Sequence, residues 1–80
     1  MIKYYYLIDR DYRYLFQLDL DEECVTDYEG MYMGKELQLS GTKSPYRKWI
    51  ETPLSPERLG RYAEEVSKEE AALLAMEAEL

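Results

Sequence analysis

Residues 19–29 carry six carboxylates, Asp19, Asp21, Glu22, Glu23, Asp27 and Glu29, and no base. Side chains of this type can hold a hard cation, share a proton as an acid/base pair, or present negative charge to a cationic partner. The first use demands fixed spacing. Laid on an EF-hand calcium loop, Asp19, Asp21 and Glu23 take the first three ligand positions. Cys24 then stands where the turn requires glycine, and Gly30 where a bidentate glutamate must close the site. No metal is expected here. The second use needs two carboxyl groups held in different environments, and an unbroken acidic run supplies no such contrast.

Other reactive groups are isolated. The chain contains no histidine, the side chain that titrates unperturbed near neutrality. Its one cysteine, Cys24, therefore lacks an imidazole partner and reads as packing rather than a nucleophile. Gly30 and Gly34 are separated and open no phosphate-binding loop. Tyr28-Glu29-Gly30-Met31 fits a Tyr-x-x-Met phosphopeptide pattern and Ser55-Pro56 a proline-directed phosphosite. A strand and a helix cap explain both. With no nucleophile–base pair, cofactor loop or ligand set, the expectation is a protein that is not an enzyme and has no cofactor.

Charge remains, and its distribution matters more than its sum of −7. Residues 57–80 hold seven acids against three bases, including Glu64, Glu65 and Glu69. Between the two acidic segments, residues 43–51 hold Lys43, Arg47 and Lys48 against Glu51 alone. Carboxylates have two uses here: solubility alone, or imitation of the phosphate array of duplex DNA, which steers association with a basic groove. The second use assigns partner binding to Asp19, Asp21, Glu22, Glu23, Asp27, Tyr28, Glu29, Glu64, Glu65 and Glu69. Tyr46-Arg47-Lys48-Trp49 interleaves bases with aromatics as stacking platforms do. An overall negative charge nevertheless repels a polyanion, so direct nucleic-acid binding is not expected.

Length sets the frame for these residues. Eighty residues suffice for one domain, 1–80, and exclude a two-domain enzyme or an α/β barrel. An apolar fraction of 46% is too high for a disordered acidic tail. No apolar run is long enough to span a bilayer, the first residues lack a signal peptide's apolar core, and one cysteine suits a reducing compartment. The expected location is the cytoplasm. Nine tyrosines stand against one Phe and one Trp. Tyrosine fits half-buried sheet positions, and it is also enriched at recognition surfaces.

Small, acidic, histidine-free and without an evident active site, the chain resembles at class level the compact inhibitors that phages use against bacterial defence nucleases, anti-CRISPR proteins among them. That resemblance implies a non-enzymatic module docking on a basic, nucleic-acid-binding protein, and it transfers no site residues. The alternative is a small structural or adaptor subunit that oligomerises or bridges partners through its Tyr-rich sheet and C-terminal helix.

The elements that must position these groups read as strands first and helix last. Residues 2–8 are strand formers, Asp9-Arg10-Asp11 a tight loop, and residues 12–20 alternate cleanly. Tyr12, Tyr14, Phe16, Leu18 and Leu20 share one side; Arg13, Leu15, Gln17 and Asp19 share the other. Asp21-Glu22-Glu23 reads as a turn and residues 24–29 as a third strand. Gly30 and Gly34 compete for the next turn, before a strand ending at Leu39. Residues 40–45 read as a loop, 46–51 as an edge strand, and Thr52-Pro53-Leu54 as a linker. Ser55-Pro56-Glu57 opens a helix expected over 56–79, with Leu59, Tyr62, Ala63 and Val66 facing the core. Ser67-Lys68-Glu69-Glu70 has the spacing of a second capping box at which the helix could restart. The predicted class is α+β, a small antiparallel meander of three to five strands with a C-terminal helix packed on one face. Phe16, Leu18 and Leu59 should be buried. Leu73, Leu74, Met76 and Leu80 cannot all be covered by one sheet, so some should be exposed or contact another chain.

Overall fold

The computed structural model describes residues 1–24, 30–40 and 48–79. Strands β1 (Ile2–Asp9), β2 (Tyr12–Glu23), β3 (Tyr32–Gln38) and β4 (Ile50–Leu54) form an antiparallel meander. A fifth strand, β5 (Glu64–Val66), pairs antiparallel with β1, giving the order β4-β3-β2-β1-β5. Helices α1 (Pro56–Tyr62) and α2 (Lys68–Glu79) flank β5 in sequence. The α+β class holds, and no helix among the described residues is long and apolar enough to cross a membrane.

The first hairpin turns through Arg10 and Asp11, with Arg10 at φ 56. Positive φ at the first loop position is what a two-residue hairpin needs to match strand twist. Ser40 secures the same end: its Oγ accepts from the Arg13 N–H at 2.9 Å and donates to the Asp11 carbonyl at 3.0 Å.

Cross-strand register separates two apolar faces. Tyr6, Leu15 and Leu37 stand opposite one another on the first. With Leu39, Val66 and Ala71 they form a core completed by Tyr4, Leu74 and Ala75, so α2 covers this face. Tyr5 and Phe16 stand opposite one another on the second, where Leu18 and Leu59 complete a core under α1. Phe16, Leu18 and Leu59 are buried as expected. Leu15, from the side of β2 read as polar, is equally enclosed at 1% exposure.

The expected continuous helix over 56–79 is corrected here. Ser55 caps α1, its Oγ accepting from the Arg58 N–H; Ala63 then turns extended at φ −121 and ψ 157. After β5, Ser67 starts α2, with Oγ accepting from the Glu70 N–H at 3.1 Å and its carbonyl from the Ala71 N–H. One unbroken helix offers a single core stripe, whereas this sheet has two apolar faces and an open edge on β1. Breaking the helix serves all three. Leu59 goes to one face, Ala71 and Leu74 to the other, and β5 supplies hydrogen bonds to the edge. Tyr62, assigned to the core stripe, is consequently 70% exposed.

Three further boundaries move. Asp21, Glu22 and Glu23 are not a turn but the last residues of β2. Gly34 lies inside β3 and is buried, while Gly30, at φ 78, takes the turn conformation. Thr52, Pro53 and Leu54 belong to β4, where an edge position tolerates a proline that cannot donate to a ladder. The expected strand over 24–29 lies outside the described residues except for Cys24, whose N–H donates to the Met31 carbonyl at 2.9 Å. Residues 41–47 also lie outside them, as does Leu80.

Gly34 sits at a close approach between β3 and its two neighbouring strands. A Cβ there would overlap Leu54 Cδ1 and stand 2.9 Å from the Gln17 carbonyl oxygen. Gly34→Ala should therefore destabilise by about 1 to 3 kcal/mol, outweighing the roughly 0.5 to 1 kcal/mol normally gained by replacing a strand glycine with alanine. Equilibrium urea unfolding decides it; a variant as stable as the parent would mean that β3 and β4 separate more easily than this packing implies. Ala71, Leu74 and Ala75 cover Leu15, Leu37 and Leu39, so deleting residues 71–80 should unfold the chain. A native-like circular dichroism spectrum after that deletion would contradict the two-sided core.

Candidate interaction surface

The carboxylates expected to act together are split by the fold. Asp19, Asp21, Glu22 and Glu23 sit at the end of β2, Glu64 and Glu65 on the edge strand β5, and Glu69 in the first turn of α2. Asp27, Tyr28 and Glu29 lie outside the described residues. Some of the charge is answered locally. The Met1 amino group sits on the Asp21 carboxylate, and Lys3 Nζ lies 3.5 Å from Glu65 Oε1. On α1, Arg61 reaches Glu57 at 3.0 Å across one helical turn. Among the described residues no ion pair involves Asp19, Glu22, Glu23, Glu64 or Glu69.

A bulge determines where the β2 carboxylates point. Leu18 pairs with Gly34, yet Glu23 pairs with Tyr32, so five positions of β2 are spent against two of β3. Such an irregularity re-aims side chains that strict alternation would send elsewhere. Glu22 thereby joins Asp19 on one recess of about 230 Å³, lined also by Gln17, Met33, Gly34, Lys35 and Glu51. Lys35 stands between Gln17 and Glu51 in the register. This is the part of the first face away from the core packed beneath α2. It is an open, carboxylate-rich sheet surface with one lysine and an exposed Met33.

Asp19 is also held. Its Oδ1 accepts from the Asp21 N–H at 2.9 Å, satisfying a backbone donor where the ladder is interrupted. Among the described residues no group of three or more His, Cys, Asp or Glu is arranged to hold a metal ion. The recess is suited to electrostatic contact with a cationic side chain rather than to enclosing a small ligand.

The tyrosines divide. Tyr5 is buried, Tyr4, Tyr6, Tyr14 and Tyr32 are half-buried, and Tyr12 and Tyr62 are exposed. Tyr12, Tyr14 and Phe16 stack along β2 with centroids 6.5 and 6.2 Å apart, carrying the ring surface from the core toward the hairpin end. Of the basic segment, Lys48 and Trp49 are exposed, and Lys43, Tyr46 and Arg47 lie outside the described residues.

Glu51 and Met33 were not legible as parts of this surface. Glu51 reads in sequence as the lone acid of the basic segment, and only the β3–β4 register brings it beside Lys35. The available signal was Pro53, which marks an edge strand and shifts β4 toward the C-terminus.

Compared with known proteins, the chain matches no family model, no curated protein and no solved structure.

Proposed function

We propose that the chain is a non-enzymatic binding module that docks an acidic surface on a basic, nucleic-acid-binding protein. A phage-type inhibitor, anti-CRISPR-like or DNA-mimicking, is its most concrete form. The main support is the bulged end of β2, which sets Asp19 and Glu22 beside Glu51 on an open sheet face. Four of the five residues 19–23 are acidic. The bulge gathers Asp19 and Glu22 with Glu51 on one side of the sheet at fixed spacing, a local group of negative charges of the kind a basic groove receives from phosphates. A rigid sheet holds that spacing without the ordering cost a flexible acidic tail would incur on binding.

A second reading is favoured by Leu73 and Met76, which are 59% and 62% exposed on α2. A structural or adaptor subunit would use such residues to oligomerise. The two readings separate in light scattering: a docking module stays monodisperse and loses partners as salt rises, whereas an oligomerising subunit self-associates and resists salt.

Replacing Asp19, Glu22, Glu23 and Glu51 with Asn or Gln should leave the fold intact: Glu22, Glu23 and Glu51 are exposed, where substitutions usually change stability by less than about 0.5 kcal/mol each, and Asn at the half-buried position 19 keeps a side-chain oxygen that can accept from the Asp21 N–H. The measurement is displacement of a fluorescein-labelled DNA duplex from an RNA-guided nuclease by stopped flow. The parent should displace it with a rate that falls as salt rises. The neutralised variant should be slower by about tenfold or more at low salt and nearly salt-independent. Equal rates for the two proteins, or no displacement by the parent, would overturn the DNA-mimic form. Lys48→Gln serves as the control and should displace at least as fast as the parent.

A further inference from the structure

Helix α2 is apolar on two sides. Ala71, Leu74 and Ala75 face the sheet, and the opposite side carries Ala72, Leu73 and Met76, all exposed. Leu73 and Met76 are spaced i, i+3 and so stand beside each other on the helix surface. A surface helix of an isolated domain ordinarily gives its outward side to polar residues. Here the polar residues instead border the apolar pair: Glu69, Glu70 and Glu77 are exposed around it, and Lys68 is the helix's one cation.

We infer that this outward stripe of α2 is a docking site for a basic amphipathic helix of a partner protein, its apolar side chains seated on Leu73 and Met76 and its Lys or Arg residues facing Glu69, Glu70 and Glu77. Charge complementarity selects this occupant. A second copy laid antiparallel, with Leu73 against the other copy's Met76, would bring a helix of four glutamates and one lysine against its equal. Like charges at such flanking positions disfavour pairing, and opposite charges set partner choice. The twelve residues of α2 span about 18 Å, enough to seat two to three turns of a partner helix. The inference rests on the binding-module reading and adds a second contact, on an element distinct from the bulged end of β2.

The test uses the full chain and a fluorescein-labelled synthetic peptide of about three heptads, with Leu at the a and d positions and Lys at e and g. A companion peptide keeps every Lys and replaces each Leu with Ser. Anisotropy should show the Leu peptide binding the parent, more weakly as salt rises, and the Ser peptide binding at least tenfold more weakly. Leu73→Ser combined with Met76→Gln should melt like the parent, because both side chains are exposed, and should lose at least tenfold in affinity for the Leu peptide. Glu69→Gln with Glu70→Gln should bind more weakly and with a flatter salt dependence. Unchanged affinity in the Leu73/Met76 variant, or equal binding of the two peptides, overturns the site. So does a concentration-dependent mass of the free chain that this variant abolishes, because the occupant is then a second copy. The Asp19/Glu22/Glu23/Glu51 variant keeps the two ideas apart. If it still binds the peptide while failing to slow duplex displacement, the α2 site stands and the DNA-mimic form falls; loss of the peptide in that variant alone places the contact on β2 and overturns the α2 site.

Discussion

Strand β2 is apolar on both faces at the centre of the sheet, and the rest of the fold follows from covering it. Leu15 points to one side, Phe16 and Leu18 to the other, and all three are enclosed. Burying a side chain of this size is worth about 1.5 to 3 kcal/mol, so leaving either face bare would remove a large part of the stability available to a small domain. One helix cannot lie on two faces. The C-terminal third therefore divides: α1 crosses one face on its way from β4 to β5, and α2 returns across the other. The break at Ala63 and the new start at Ser67 are consequences of that demand rather than of weak helix propensity.

Much of this was legible in the chain. Alternation from Tyr12 to Leu20 identified β2 and the Phe16–Leu18 face, and Asp9-Arg10-Asp11 located the hairpin. Ser55 and Ser67 both announced caps that the structure uses. What was hidden depended on pairing between distant segments. Leu15 looked like an isolated apolar residue on a polar side because its partners, Leu37 and Leu39 at the end of β3, Val66 on β5 and Ala71 on α2, come from three other segments. Gly34 looked like a turn because nothing local reveals that Leu54 will pack against it. Glu64-Glu65-Val66 is too short for any strand pattern, and its place is set by the open edge of β1.

The candidate surface shows the same division. The acidic residues were evident from composition, but their grouping was not. Strict alternation from Asp19 assigns Asp21 and Glu23 to its side and Glu22 to the other; the bulge places Glu22 with Asp19 instead. Charge carried by Asp21 and Glu65 is partly answered by the Met1 amino group and Lys3, whereas Glu22 and Glu64 have no such neighbour among the described residues. Composition thus overstates the field at some positions and conceals its focus at others.

The pairing of β5 with β1 joins positions remote in sequence: Tyr4 lies opposite Val66. A ribosome releases the first of these long before the second. Until then the nascent β1 has an unpaired outer backbone, and Leu15 lacks both Val66 and Ala71 above it. Unpaired strand edges beside bare apolar surface are where newly made chains join wrong partners. Contacts between such remote positions also form slowly, because a long loop must close before they stabilise anything. Exposure to misassembly thus persists through the interval in which the meander has emerged and β5 and α2 have yet to dock.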